Sequence, residues 1–126
     1  MGVDASGMGA NKTAFIVRDA FRAKVVALED KGNEKKIAER ALTIMTHYKI
    51  IPHNIVIDSF GVGANISQEI ALAISARAHA VNVGERADDP DRFLNKRAEY
   101  YWRAREWLNK GGKLIRHDGW NQLLTI

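Results

Sequence analysis

Ile55-Val56-Ile57-Asp58-Ser59-Phe60-Gly61-Val62-Gly63 is the stretch on which the reading of this chain turns. Three consecutive apolar residues, two of them isoleucine and one valine, have the pattern of a strand buried on both faces. The run stops on a carboxylate and opens into a glycine-bearing loop. An aspartate at the carboxyl end of a buried strand is costly unless its charge has a partner. The same arrangement stands at the start of the chain, Gly2-Val3-Asp4-Ala5-Ser6-Gly7-Met8-Gly9, so the pattern D-x-x-G-x-G occurs twice.

One such motif is ordinary turn chemistry. Two, each closing an apolar strand, point to a site. Carboxylates on neighbouring strands repel unless a cation lies between them. Magnesium is commonly held by one or two carboxylates, with water and phosphate completing its shell. The glycines keep side chains out of both loops, which leaves room for a phosphodiester. Asp4 and Asp58 are therefore the candidate catalytic and metal-holding residues, for Mg²⁺ or Mn²⁺.

Around these anchors the chain alternates. Gly2–Asp4 reads as the end of a strand that looks cut short. Thr13–Arg18 and Lys24–Leu28 are β-branched runs joined by a polar connection, an antiparallel pair. Asn33 caps a helix with Ile37, Ala41, Ile44 and Tyr48 on one face, and Pro52 ends that segment. A second helix is expected from about Asn65 to Ile74, with Ile66, Ile70 and Ala73 inward, then a strand over Ala78–Val83. Asp89-Pro90 predicts the start of a long helix running to Asn109 and stopped by Gly111-Gly112. Its expected core face is Leu94, Ala98, Tyr101 and Leu108, and its expected outer face Arg92, Lys96, Arg103 and Lys110. The stretch from Leu114 to Ile126 closes without a stop signal. The order predicts an α/β fold, a mixed sheet flanked by helices, in one domain over 1–126.

The remaining numbers exclude more than they reveal. There is no cysteine, hence no disulfide framework, thiolate metal site or cysteine nucleophile, and the chain is expected in the cytoplasm. No apolar run is long enough for a membrane span. The net charge of +4 is mild but uneven: Arg92 to Arg116 holds eight basic residues against two acids. That third of the chain suits a polyanion, and Lys96, Arg97 and Arg103 are the candidate phosphate contacts. Arg97 also lies near the expected packed side, where a buried hydrogen-bonding role is the alternative. Gly9-Ala10-Asn11-Lys12-Thr13 fails as a nucleotide-binding loop, with Asn11 where glycine is needed and a strand following. His47, His53, His79 and His117 have no ligand spacing.

Several blocks together resemble the nuclease domain of phage terminase large subunits. They are Gly2-Val3-Asp4, Val56-Ile57-Asp58-Ser59-Phe60-Gly61-Val62-Gly63 and Asn82-Val83-Gly84-Glu85. The most distinctive is Arg92-Phe93-Leu94-Asn95-Lys96-Arg97-Ala98-Glu99-Tyr100-Tyr101-Trp102 with Arg105-Glu106-Trp107-Leu108. The resemblance implies a ribonuclease H-like sheet, three antiparallel strands and then two parallel ones. It also implies a two-metal endonuclease that cuts concatemeric viral double-stranded DNA during genome packaging in the bacterial host. Asp4 and Asp58 match the first two catalytic carboxylates. The family places this domain after an ATPase motor and works with a portal and a small terminase subunit.

One departure stands out. The family carries a third acidic residue in a late Ser-Pro-Asp segment, and Ile126 comes before any such segment. Glu99, Glu106 and Asp118 do not match that position. The expectation is a C-terminally truncated fragment whose third carboxylate ligand is absent and whose cleavage is impaired. Two rivals stand beside it: a non-catalytic DNA-binding prophage remnant, and an actin- or sugar-kinase-like phosphate-binding domain.

Overall fold

A computed structural model describes residues 1–5, 12–29, 33–58, 63–74 and 78–120. Its six strands are β1 (Gly2–Asp4), β2 (Thr13–Arg18), β3 (Arg22–Glu29), β4 (Val56–Asp58), β5 (His79–Val81) and β6 (Lys113–Leu114). They form one sheet in the order β5-β4-β1-β2-β3-β6. β1, β2 and β3 meander antiparallel, while β4 runs parallel to β1 and β5 parallel to β4. The polar connection between β2 and β3 is a tight turn because Asp19 accepts hydrogen bonds from Phe21 N at 2.7 Å and Arg22 N at 2.8 Å. Those donors hold the Asp19 carboxyl below its ordinary pKa. The α/β class and the mixed three-plus-two sheet are as expected. Strand β6, two residues pairing parallel with Arg22 and Ala23 of β3, is an addition.

Helices α1 (Glu34–His47) and α2 (Gly63–Ile74) pack on each other and, through α2, on β4 and β5. Asn33 caps α1, its side-chain oxygen accepting from Lys36 N at 2.9 Å. Ile37, Ala41 and Ile44 are buried, as their spacing predicts. Tyr48 is not: it is the C-cap residue and is exposed. Ile66 and Ile70 of α2 are fully buried; the side chain of Ala73 lies outside the described residues. Strand register puts Val3 beside both Phe15 and Ile57. These three share one face and close the core against α1 and α2. Val56 corrects the reading of β4 as buried on both faces. It is 42% exposed because the helix on the other side covers the sheet only in part.

That helix, α3 (Lys96–Asn109), differs most from expectation. It starts at Asn95 and not at Asp89-Pro90. Asp89 instead closes a turn, its carbonyl accepting from Arg92 N and Phe93 N. The first turn of a helix has N–H groups with no partner inside the helix. Here Lys96 N donates to Glu85 O and Arg97 N to Val83 O, both at 2.9 Å, and Ala98 N donates to the Asn95 side chain at 3.0 Å. The backbone leaving β5 thus fixes where α3 begins.

The face of α3 turned inward is also the reverse of the expected one. Leu94 is 90% exposed, and Ala98, Tyr101 and Leu108 are exposed as well. The buried position is Glu99, and the partly buried ones in the same stripe are Lys96 and Trp107. Trp107 donates from Nε1 to Ala20 O at 2.8 Å, in the β2–β3 turn, and the Arg18 guanidinium lies 5.9 Å from its ring centroid. A polar network and one tryptophan set the helix rotation, where an apolar stripe was expected to.

The two glycines after α3 act as anticipated. Gly111 has φ +101°, with Gly111 N bonding Leu108 O and Gly112 N bonding Trp107 O, a glycine-terminated helix end. A Cβ on Gly112 would come within 2.6 Å of Trp107 Cε3 and closer still to the two atoms fusing the indole rings. Gly112→Ala is therefore expected to destabilise the fold by about 1–3 kcal/mol. A urea melt of the variant checks this, and Gly112→Ala combined with Trp107→Leu should recover part of the loss. No helix among the described residues is long and apolar enough to cross a membrane.

Candidate metal centre

Asp4 and Asp58 end adjacent strands. β1 and β4 pair as Gly2↔Val56 and Val3↔Ile57, so one further step sets Asp4 level with Asp58. Side chains alternate along a strand. With Val3 and Ile57 turned into the core, both aspartates project from the opposite face, the one α3 crosses. The two carboxylates line one hollow of about 460 Å³ together with Val83, Arg97, Tyr100, Tyr101 and Ala104. Asp4 as a whole residue lies exposed at the sheet rim. Its carboxyl nevertheless has a raised pKa, first through lost hydration and then through the negative charge of Asp58. The loops that follow each aspartate, 6–11 and 59–62, lie outside the described residues, and so does the glycine clearance expected of them.

The opposite wall comes from α3. Because its first N–H groups are bonded by Val83 and Glu85 carbonyls, Arg97 and Tyr100 fall over the strand ends. Arg97 is exposed, so the alternative of a buried hydrogen-bonding role does not hold. It brings positive charge to a hollow whose other charged groups are Asp4 and Asp58. Lys96 and Arg103, the other candidate phosphate contacts, are engaged by acids. Lys96 Nζ lies 3.7 Å from Asp88, and Arg103 lies 3.9 Å from Asp88 and 2.5 Å from Glu99. Neither lines the aspartate hollow.

Glu99 organises this side. It is 1% exposed, accepting from Asp88 N at 2.8 Å and from Arg103 Nη2. Burial alone would raise its pKa, but the hydrogen bonds from Asp88 N and Arg103 outweigh it and the pKa is lowered. From the sequence, Glu99 is weighed only as a third catalytic carboxylate, a position it does not match. Its one signal was position, an acid four residues before Arg103 within a basic run. With its folded pKa below the unfolded value, Glu99 contributes stability above the ordinary glutamate range and loses it as pH falls through the folded pKa. Asp4 has the opposite sign: its raised pKa favours the fold at low pH, and that contribution is lost as pH rises through the folded value. Arg103→Gln, which removes one partner of Glu99, should therefore lower stability near neutrality and shift acid unfolding, followed by circular dichroism, to higher pH, with little change at pH below the folded pKa of Glu99.

His53, in the short 3-10 turn Pro52–Asn54 before β4, and His79, the first residue of β5, stack edge to face at 4.7 Å, away from the aspartates. Among the described residues no group of three or more histidine, cysteine or acidic side chains is placed to hold a metal ion. The donor set is two carboxylates. That suits a hard divalent ion which keeps most of its water and binds phosphate oxygen.

No family model matches the chain, and no curated protein matches it. Among solved structures it is similar to a mutant nuclease domain of the large terminase subunit gp2 of bacterial virus Sf6, solved with manganese and beta-thujaplicinol. The TM-score is 0.68 at 22% identity, covering 80% of this chain and 49% of that one. The chain thus spans about half the length of that domain. Strand order, sheet direction and this likeness agree: the chain has the fold of a phage large-terminase nuclease domain.

Proposed function

We propose that this chain carries the DNA-cutting centre of a phage packaging terminase, a divalent-cation-dependent endonuclease acting on concatemeric double-stranded DNA. The observation that carries the reading is the level placement of Asp4 and Asp58, with burial and then the charge of Asp58 raising the pKa of Asp4. Such a pair is relieved by a cation. Asp4 and Asp58 would hold Mg²⁺ or Mn²⁺, which when bound polarises a phosphate oxygen and makes water a better nucleophile. Arg97 would contact the phosphodiester from the opposite wall and offset its charge, positioning the strand without reading its sequence. Lys96 and Arg103, through Asp88 and Glu99, hold α3 so that Arg97 stays over the site. In the whole protein this centre would work beside an ATPase motor, the portal and the small terminase subunit, in the bacterial cytoplasm.

Only two carboxylates line the hollow among the described residues, which favours weak metal binding and impaired cutting by this chain. The same observation suits the rival, a DNA-binding remnant without catalysis. Incubating the chain with supercoiled plasmid in Mn²⁺, Mg²⁺ or EDTA separates the two. Nicking that needs the cation supports the endonuclease. Binding with no nicking at any cation concentration supports the remnant.

A further inference from the structure

The inverted α3 leaves an unusual surface outward. Trp102 is 38% exposed and Tyr101 47% exposed, on the side away from the Glu99 network. The Arg92 guanidinium lies 5.1 Å from the Phe93 ring centroid and 5.8 Å from that of Trp102; Arg105 lies 5.3 Å from Trp102. Phe93 and Trp102 are 6.2 Å apart, tilted at 50°. Together with Ala98 and Tyr101 these residues line an open hollow of about 560 Å³ with no acid in its wall. Arg105 has no ion pair among the described residues. Among the described residues Arg92 has only Asp89 at 3.9 Å, and its side chain is 58% exposed.

We propose that this outer face of α3 binds single-stranded DNA, an unpaired stretch flanking the cut, with phosphates on Arg92 and Arg105 and a base against the Phe93, Tyr101 and Trp102 group. That the nucleic acid is DNA rests on the nuclease reading. The chemistry favours a nucleic-acid strand because cations and aromatic faces are interleaved, matching a ligand that alternates phosphate and base. A duplex hides its base faces in the stack, so flat guanidinium and aromatic groups meet bases only when these are unpaired. Position supports it too. Tyr101 lines both this hollow and the one holding Asp4 and Asp58, so a strand leaving the aspartates over Tyr101 arrives here. Arginines resting on aromatic rings are already ordered, which lowers the entropy lost on binding.

The test is binding of a labelled oligothymidylate of about 12 nucleotides, a length within the range of small single-strand sites, by the whole chain in EDTA. Wild type should bind it more tightly than a duplex of equal length, with quenching of tryptophan fluorescence. Arg92→Gln with Arg105→Gln should weaken binding by on the order of tenfold or more and flatten the log–log salt slope by about 1.4. Trp102→Phe should remove most of the quenching and retain the salt slope. A double variant that is folded by circular dichroism and binds as wild type does would overturn the proposal. So would quenching that survives in Trp102→Phe, or a preference for duplex that the substitutions leave untouched. Because EDTA removes any need for metal, the two readings fail separately. Loss of Mn²⁺-dependent nicking with strand binding intact removes the nuclease reading alone, and nicking with no strand binding removes this surface alone.

Discussion

Asp58→Asn is expected to lower Mn²⁺-dependent nicking by more than about 100-fold, because a metal ion at the reacting phosphate supplies several kcal/mol of transition-state stabilisation. The amide keeps the shape of the carboxylate and removes its charge. It leaves the β1–β4 pairing intact, since that pairing is made by backbone groups. The fold should not suffer. Burial first, and then the charge of Asp58, raises the pKa of Asp4, so at neutral pH the ionised Asp4 carboxyl opposes folding. Asp58→Asn, and likewise Asp4→Asn, should melt at a higher temperature than wild type in EDTA. In Mn²⁺ the order should reverse or narrow, because only wild type gains stability from binding the ion. Lower activity together with a lower melting point in EDTA would instead mean that the aspartates serve the fold.

The second large effect lies one residue before the site. Ile57→Ala is expected to destabilise the protein by about 2–5 kcal/mol, the usual cost of removing a fully buried branched side chain from a packed core. Ile57 is 0% exposed, with Val3 beside it on β1 and both in the same buried cluster as Phe15. A loss of that size is a large share of the total stability of a small domain, about 5–15 kcal/mol. Chemical denaturation with guanidinium measures it. Val56→Ala, one position earlier and on the other face, should shift the midpoint far less, since Val56 is 42% exposed. Equal effects at the two positions would contradict the assignment of faces.

The contrast between Ile57 and α3 shows what the sequence made legible. Short-range patterns carried the sheet. The β-branched runs of β2 and β3, the Asn33 cap and the Ile37, Ala41, Ile44 spacing are set by alternation and helical period, and the structure follows them. The level placement of Asp4 and Asp58 was legible for a related reason: each closes an apolar run whose partner faces the same helices. The rotation of α3 was not. An apolar stripe of Leu94, Ala98, Tyr101 and Leu108 predicts the inward face, but Glu99 binds Asp88 N and Arg103, and Trp107 reaches Ala20. Asp88 and Ala20 lie outside the helix, and Ala20 is 87 residues from Trp107 in the chain, too far for any local window to see. β6 was missed because two residues, Lys113 and Leu114, carry no periodicity of their own. Lys96 looked like a free cation because Asp88 is brought to it from outside the helix, whereas Arg103 pairs with Glu99 one helical turn before it, a spacing that the weight of basic residues around it obscured.

Mn²⁺ binding by the metal-free chain, counted by electron paramagnetic resonance of the unbound ion, addresses the two aspartates most directly. The account predicts a saturable site that weakens sharply in both Asp4→Asn and Asp58→Asn and is unchanged in Glu106→Gln. Mn²⁺ uptake that is the same in wild type and in both aspartate variants would contradict it.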